Sequence, residues 1–556
     1  MSVADVSPIE VGIVGGGPVG LMLALFLDRL GVSCVLFNTA PTTRWHPKGS
    51  TQGCRTMEHF RRLGIADAIR DLGLPHDHPT DVAYFTRFGG PELARLRMPS
   101  TDDVRQMVAA AAATDQVPEP IHRANQMHVE RYLFEHASQR PNIVTRFGWR
   151  VDRFEQDASG VTVSATPENG GPAERWRAQY LVGCDGGRSF VRHALGIAFR
   201  GEAGLEQRYF GGRMFATYVR LPDLYRDFLG NRRAWQYWAV NPEIRSSLIA
   251  VNGKDEFLFR TQASVPDQPP EDKVVADAMR RCVGGETRME IVAHEPWTAG
   301  MALVAQRFGD GRVFLAGDAV HLFTPTGGFG MNTGVDDASN LAWKLAAMVQ
   351  GWGGARLLET YQSERQPIAA RNTEAARQLT ANIGGTDVDP AIEQDSPAGA
   401  EARRKAGAML ATFGEQFASL GVQLGARYDG SPIIAGSETP PVDDPIVYRP
   451  TSVPGGRAPH VWLDAGHGAG ASLFDRLGAG FTLLRFGKRT DASELIAAAA
   501  RASIPLAVVD VGNADARELY ERDLVLVRPD QHVAWRGNAA PSDPDRLLAQ
   551  VVGRRA

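Results

Sequence analysis

The segment Val11-Gly12-Ile13-Val14-Gly15-Gly16-Gly17-Pro18-Val19-Gly20 constrains this chain more than any other. Its first four residues read as a buried strand that runs directly into Gly15-x-Gly17-x-x-Gly20. Leu21 to Leu30 then read as an apolar helix that stops at Gly31. Strand, glycine turn and helix in that order start a doubly wound α/β sheet, and such a turn is where these folds hold a pyrophosphate. Gly15 permits the tight turn, Gly17 keeps a Cβ away from the phosphates, and Gly20 lets the helix lie close on the strand. Pro18 and Val19 sit inside the same turn and share its candidacy. The free N–H groups of the helix start complete an anion site.

The chain has 556 residues, which at about 150 residues per domain predicts three or four units. Its net charge of -4 and lack of a basic block argue against a nucleic-acid partner. No apolar run approaches the ~20 residues that cross a bilayer. Met1-Ser2-Val3-Ala4-Asp5 shows no basic, then apolar, leader, so a cytoplasmic location is expected. Cys34, Cys54, Cys184 and Cys282 are scattered; their spacing suggests neither a disulfide framework nor a metal site.

Downstream, Ser33 to Phe37 reads as the second parallel strand, and Asn38 stands at its end, where dinucleotide folds place an acidic residue for the ribose hydroxyls. The Asn38 amide oxygen can still accept one bond, without the carboxylate's charge. Arg55 opens a helix that ends at Gly64, and a helix starts at Gln126. Residues 75 to 120 read as strands and loops of an inserted sheet. Two more strand ends carry chemistry. Tyr180-Leu181-Val182-Gly183-Cys184-Asp185-Gly186 delivers Asp185 and Gly186, and Arg312 to Ala316 deliver Gly317 and Asp318. After the latter comes Pro325-Thr326-Gly327-Gly328-Phe329-Gly330-Met331-Asn332, a glycine loop that opens onto a helix. Carboxylates at the carboxyl ends of parallel strands sit where doubly wound sheets bind ligands, and Asp318 is placed to take ribityl hydroxyls. Helix-opening N–H groups near Asn332 suit a ring carbonyl that becomes anionic.

Taken in order, these three motifs resemble those of the flavin-dependent aromatic hydroxylases, the group A monooxygenases related to p-hydroxybenzoate and phenol hydroxylases. The likeness spans residues 10 to about 375, and is greatest to the larger members with an extra C-terminal domain. It implies an α/β fold: a Rossmann-like FAD-binding domain, an inserted mixed β-sheet substrate domain and a C-terminal thioredoxin-like α/β domain. The expected division is 1–74, 121–200 and 301–375 for FAD binding, with 75–120 and 201–300 for substrate. A helical segment, 376–438, precedes the thioredoxin-like domain at 439–556, which holds no cysteine and therefore no disulfide chemistry.

The resemblance further implies FAD on Gly15, Gly17, Gly20, Asp185, Gly186, Gly317 and Asp318. Arg55 and Gln126 would lie along the cofactor, and Pro325, Gly327, Gly328, Gly330, Met331 and Asn332 would flank the isoalloxazine. NADH or NADPH would be a transient electron donor. The reduced flavin would take O₂ to a C4a-hydroperoxide that hydroxylates the ring of a small phenolic substrate. Baeyer–Villiger or epoxide-forming oxygenation of a larger polyketide is the alternative chemistry, and a flavin-binding sensor without turnover is the reading from another class. A homodimer is compatible with the likeness. In the substrate segment Tyr237 and Trp238 are candidates, on opposite faces of one strand, together with Pro325. His46 and His321 qualify by position alone, and no catalytic base is assigned.

Overall fold

The computed structural model describes residues 6–203, 214–262, 268–297, 301–383, 388–416, 419–464, 466–468, 470–486 and 490–554. The stretches 204–213 and 384–387, which fall in the expected substrate and helical segments, lie outside the described residues. Val6–Val14 forms the centre of a sheet with Cys34–Asn38 and Ile143–Phe147 on one side, Glu174–Gly183 and Val313–Leu315 on the other, all parallel. The central strands read as near-continuous apolar runs because helices cover the sheet. Pro18–Arg29 is one of them, and its residues Val19 to Leu27 are all buried.

Strand register decides where the motifs meet. Val14 pairs with Gly183 and with Phe37, and Gly183 pairs with Leu315. The residues at or just past the end of each strand, Gly15, Asn38, Asp185 and Gly317-Asp318, therefore emerge side by side on the carboxyl edge of the sheet.

A second sheet orders its seven strands 290–297, 214–220, 256–262, 245–250, 236–240, 82–85 and 92–96. Gln236–Val240 runs parallel to Val82–Phe85 while its other pairings are antiparallel, so the sheet is mixed and draws on two separated chain segments. Within 75–120, where strands and loops were expected, Thr101–Ala109 is a helix. Its start is fixed by a capping box in which Ser100 and Asp103 satisfy each other's backbone N–H, a device local enough to override the surrounding alternation.

The C-terminal unit is a four-stranded sheet in the order 506–510, 481–485, 524–527, 533–537. The first pair is parallel and joined through the helix Ser493–Arg501, and the last pair is a hairpin. That is the thioredoxin-like topology. Among the described residues no helix is long and apolar enough to cross a membrane.

Candidate active site

At the glycine turn each glycine answers a different demand. Gly15 has φ +113°, and a Cβ there would lie 2.3 Å from the Cys184 carbonyl oxygen. A Cβ on Gly20 would lie 2.0 Å from the Gly15 carbonyl oxygen. Gly17 is different: a Cβ there would meet nothing within 4 Å. The first two positions are closed by protein, whereas Gly17 borders open space at the uncapped start of the helix Pro18–Arg29. A pyrophosphate fits that cradle, and the helix N–H groups point to it.

Asn38 stands beside the turn and is tied into it. Its Oδ1 accepts from the Gly16 N–H at 3.1 Å and its Nδ2 donates to the Ala40 carbonyl at 3.0 Å. One oxygen lone pair is left for a ribose hydroxyl.

The two carboxylates on the same edge differ. Asp185 Oδ2 accepts from the Val191 N–H at 3.1 Å, while Oδ1 is buried with no partner. Burial pushes the Asp185 carboxyl above the usual range, against the bonds donated to it. Gly186 follows with φ +79° and open space where its Cβ would be. Asp318 is exposed and, among the described residues, its carboxylate has no hydrogen bond or ion pair. An orphaned buried oxygen and a free carboxylate beside an open glycine cradle are what a polyhydroxylated dinucleotide needs; the residues fit FAD.

Behind Asp318 the turn is braced. Asp337 Oδ2 accepts from the Gly317 N–H at 3.2 Å and contacts His321 Nε2 at 2.6 Å, and its Oδ1 accepts from Arg365 Nε at 2.8 Å. The neighbouring Asp336 takes Arg365 Nη1 at 2.5 Å and His59 Nε2 at 3.1 Å. Burial alone would raise the Asp336 carboxyl, but Arg365 and His59 outweigh it and hold it well below the usual range. His321 is thereby a brace inside the protein, fully buried. None of Asp336, Asp337 or Arg365 was singled out from sequence; Asp336-Asp337 facing inward on an otherwise apolar helix was the available signal.

The glycine loop closes the far end. Gly327 and Gly328 adopt φ +81° and +68°, left-handed values that favour glycine. They turn Pro325 and Thr326 into the helix Phe329–Val349, whose start has no side-chain cap. Gly330 and Met331 lie in its first turn with free N–H groups. Asn332 clamps this start to another segment: its Oδ1 accepts from the Gly53 N–H at 2.8 Å, and its Nδ2 donates to the carbonyls of Gly328 at 2.6 Å and Thr51 at 3.1 Å. A cleft lies here, lined by Gly53, Arg55, Gly327, Asn332 and Gln423 among others.

Arg55 reaches this cleft, but its guanidinium is held from outside the Rossmann sheet. It donates to Glu58 at 2.8 Å, to Gln531 Oε1 at 2.7 Å and to the Asp530 carbonyl at 2.8 Å. Gln126 opens the helix Gln126–Ser138; its Nε2 donates to Glu130 one turn on at 2.5 Å, and its backbone N–H to Gly49 at 2.8 Å.

On the strand Gln236–Val240 the two aromatic candidates part. Tyr237 is fully buried among Phe85, Phe88 and Tyr225. Its hydroxyl accepts from the Ala234 N–H at 2.6 Å and contacts the Tyr225 hydroxyl at 3.3 Å. It shares an apolar cluster with Val275 and Met279 of the helix Asp272–Val283. Tyr237, expected beside a substrate, is thus enclosed by protein in this structure, with its hydroxyl bonded internally. Trp238 points to the other face and stacks on Tyr84 at 6.2 Å. The sheet is joined to the glycine loop through Arg123, which lies over the Trp235 ring and donates to Thr51, the residue a Cβ on Gly328 would touch at 2.9 Å. His46 is buried beside Tyr218 and contacts the Pro47 carbonyl at 3.0 Å.

Comparison with known proteins agrees with this geometry. An FAD binding domain family matches residues 8–376, and the family of aromatic-ring hydroxylase C-terminal domains matches residues 451–554. An FAD-dependent monooxygenase of Emericella nidulans is 32% identical, over 100% of this chain and 92% of the relative. The aklavinone 12-hydroxylase RdmE of Streptomyces purpurascens is 31% identical over 98% of both chains. The structure of the rebeccamycin biosynthetic enzyme RebC with reduced flavin matches with a TM-score of 0.88 at 34% identity, covering 99% of this chain and 100% of that one.

Proposed function

The chain belongs to the FAD-dependent aromatic-ring hydroxylases, and on that footing we propose how its residues divide the work and what ring they accept. The protein is a flavin monooxygenase that uses FAD, NAD(P)H and O₂ on an aromatic compound. When bound, FAD supplies the redox chemistry, passing two electrons from NAD(P)H to O₂ and one oxygen atom to the ring.

The carboxyl edge of the first sheet carries the cofactor. Gly17 and the start of the helix Pro18–Arg29 take the pyrophosphate. Asn38 offers its remaining lone pair to the adenosine ribose. Asp318, kept in place by Asp337 on the Gly317 N–H, accepts from ribityl hydroxyls. Gly330, Met331 and Asn332 present N–H groups at the positive end of a 21-residue helix, where an anionic ring carbonyl is stabilised. The observation that carries this reading is the convergence of three glycine and aspartate motifs on one sheet edge, with Asp318 left without a partner among the described residues.

For the substrate, the likeness to hydroxylases of aromatic compounds supports a phenolic ring; Trp238 and Tyr84 stack on each other within the packed core of the sheet and set no limit on its size. A panel of single-ring and fused-ring phenols, scored by substrate-stimulated NAD(P)H consumption and by mass spectrometry, tests the assignment. A phenol gaining one oxygen atom is expected. Absence of donor-dependent flavin reduction with every compound overturns it; oxygen insertion into a carbon–carbon bond redirects it to Baeyer–Villiger chemistry on a larger polyketide.

A further inference from the structure

The tip of the C-terminal hairpin, between strands Leu524–Val527 and Val533–Gly537, does not face solvent. Arg528, Asp530, Gln531 and His532 are each at most 2% exposed, because the tip is inserted between helices of the FAD-binding unit. Two sets of bonds hold it there. Arg528 forks onto Glu364 at 2.7 and 2.8 Å, Glu364 also takes Lys344 at 2.7 Å, and Asp530 accepts from Asn340 and Trp343 at 3.2 Å each. That set alone docks the hairpin.

The second set points elsewhere. Gln531 Oε1 and the Asp530 carbonyl accept from Arg55 at 2.7 and 2.8 Å. Arg55 lines the cleft with Asn332, and its Nε lies 3.7 Å from Asp336 on the glycine-loop helix. Gln531 does this from a backbone with φ +65°, a conformation that hairpin tips ordinarily give to glycine or asparagine. The side chain that this backbone carries into the buried tip is the one bonded to Arg55.

We infer that Gln531 is a positioning residue for the cofactor cleft. Together with the Asp530 carbonyl it fixes the Arg55 guanidinium against the glycine-loop helix, so the cleft takes its cofactor-binding shape only with the C-terminal unit docked. A cysteine-free thioredoxin-like unit thereby contributes to cofactor binding across the domain boundary. This inference rests on the proposed placement of the flavin ring end at that cleft.

The test is an FAD titration of the full-length apoprotein, followed by flavin fluorescence, for wild type, Gln531→Met, Arg55→Lys and the double variant. Gln531→Met keeps the volume and removes the acceptor; Arg55→Lys keeps the charge and removes the fork. Each single change is expected to weaken FAD binding by about tenfold, the usual scale of a charge-assisted bond. The double variant is expected to bind no more weakly than Arg55→Lys, because both changes cut one path. An unchanged Kd for Gln531→Met, or losses that multiply in the double variant, overturns the inference. If Gln531→Met fails to fold, Gln531→Leu, which also removes the acceptor, is read in the same titration: a loss of more than about threefold supports the inference, and a smaller change overturns it. Failure of wild-type apoprotein to take up FAD would instead overturn the functional reading itself.

Discussion

Gly17 and Gly20 lie one helical turn apart and meet opposite demands, so alanine separates binding from folding at these two positions. At Gly20 the added methyl would sit 2.0 Å from the Gly15 carbonyl. Gly20→Ala is expected to lower stability by about 1–3 kcal/mol through overpacking, seen as a lower apoprotein Tm. At Gly17 the methyl enters open space. Gly17→Ala should leave the apoprotein Tm nearly unchanged and weaken FAD at least about tenfold by displacing the pyrophosphate. Asp318 belongs with Gly17: exposed, and without a protein partner among the described residues. Asp318→Asn should change unfolding free energy by less than about 0.5 kcal/mol. It should weaken FAD about 10- to 100-fold by removing a charged acceptor, measured by flavin titration. These residues were legible in the sequence because a glycine turn and a strand-end carboxylate are local chemistry. Arg55 was legible only in part, since its Gln531 partner lies 476 positions away. For Tyr237 and Trp238, alternation says that two faces exist and is silent on which face a helix will cover.

At the level of whole elements, the hairpin tip and the surface pair at the end of the strand Phe481–Arg485 show what burial does to an ion pair. Arg528 and Glu364 are both fully buried, so Arg528→Met would strand Glu364 and Asp530 as buried, poorly compensated anions. A loss of about 3–5 kcal/mol is expected, read as a lower urea midpoint for the transition that undocks the C-terminal unit. Arg485 pairs with Asp510, whose side chain is 65% exposed. Arg485→Ala should cost less than about 1 kcal/mol in the same assay. Sequence periodicity found the helices and strands on which these charges sit, including the helix Ser493–Arg501 and the hairpin itself. It did not find the ionic cluster, because Lys344, Glu364, Arg528 and Asp530 come from three elements distant in the chain. The helix Thr101–Ala109 was missed for a different reason: its capping box was outweighed by the strand-like pattern on either side.

Across the whole molecule, three buried histidines tie the units to one pH response. His59 stands on the Rossmann side of the glycine-loop helix, His122 pairs with the Thr51–Gln52 strand, and His460 joins the C-terminal unit to the Asp115 carbonyl at 2.6 Å. Burial lowers each of them to about 4, with the cations Arg55, Arg70 and Arg457 adding to the effect. All three are therefore neutral in the folded protein at pH 5, while an unfolded chain, with histidines near 6.5, binds the protons. The unfolded state takes up more protons between pH 6.5 and 4, so stability is complete above pH 6.5 and falls as pH drops through that window. Three such groups give a limiting slope of about 4 kcal/mol per pH unit. Glu364 and Asp530, which Arg528 holds well below the usual carboxylate range, remain ionised in the folded protein and add to the fall only below about pH 5, where the unfolded chain's carboxylates begin to bind protons. Thermal melts of the apoprotein from pH 7 to pH 5 should show this fall. His460→Gln, whose amide can replace the bond to Asp115 without titrating, should reduce the slope by about one third. An unchanged slope in that variant would mean that His460 is already protonated in the folded protein, with the C-terminal unit undocking before the rest of the chain.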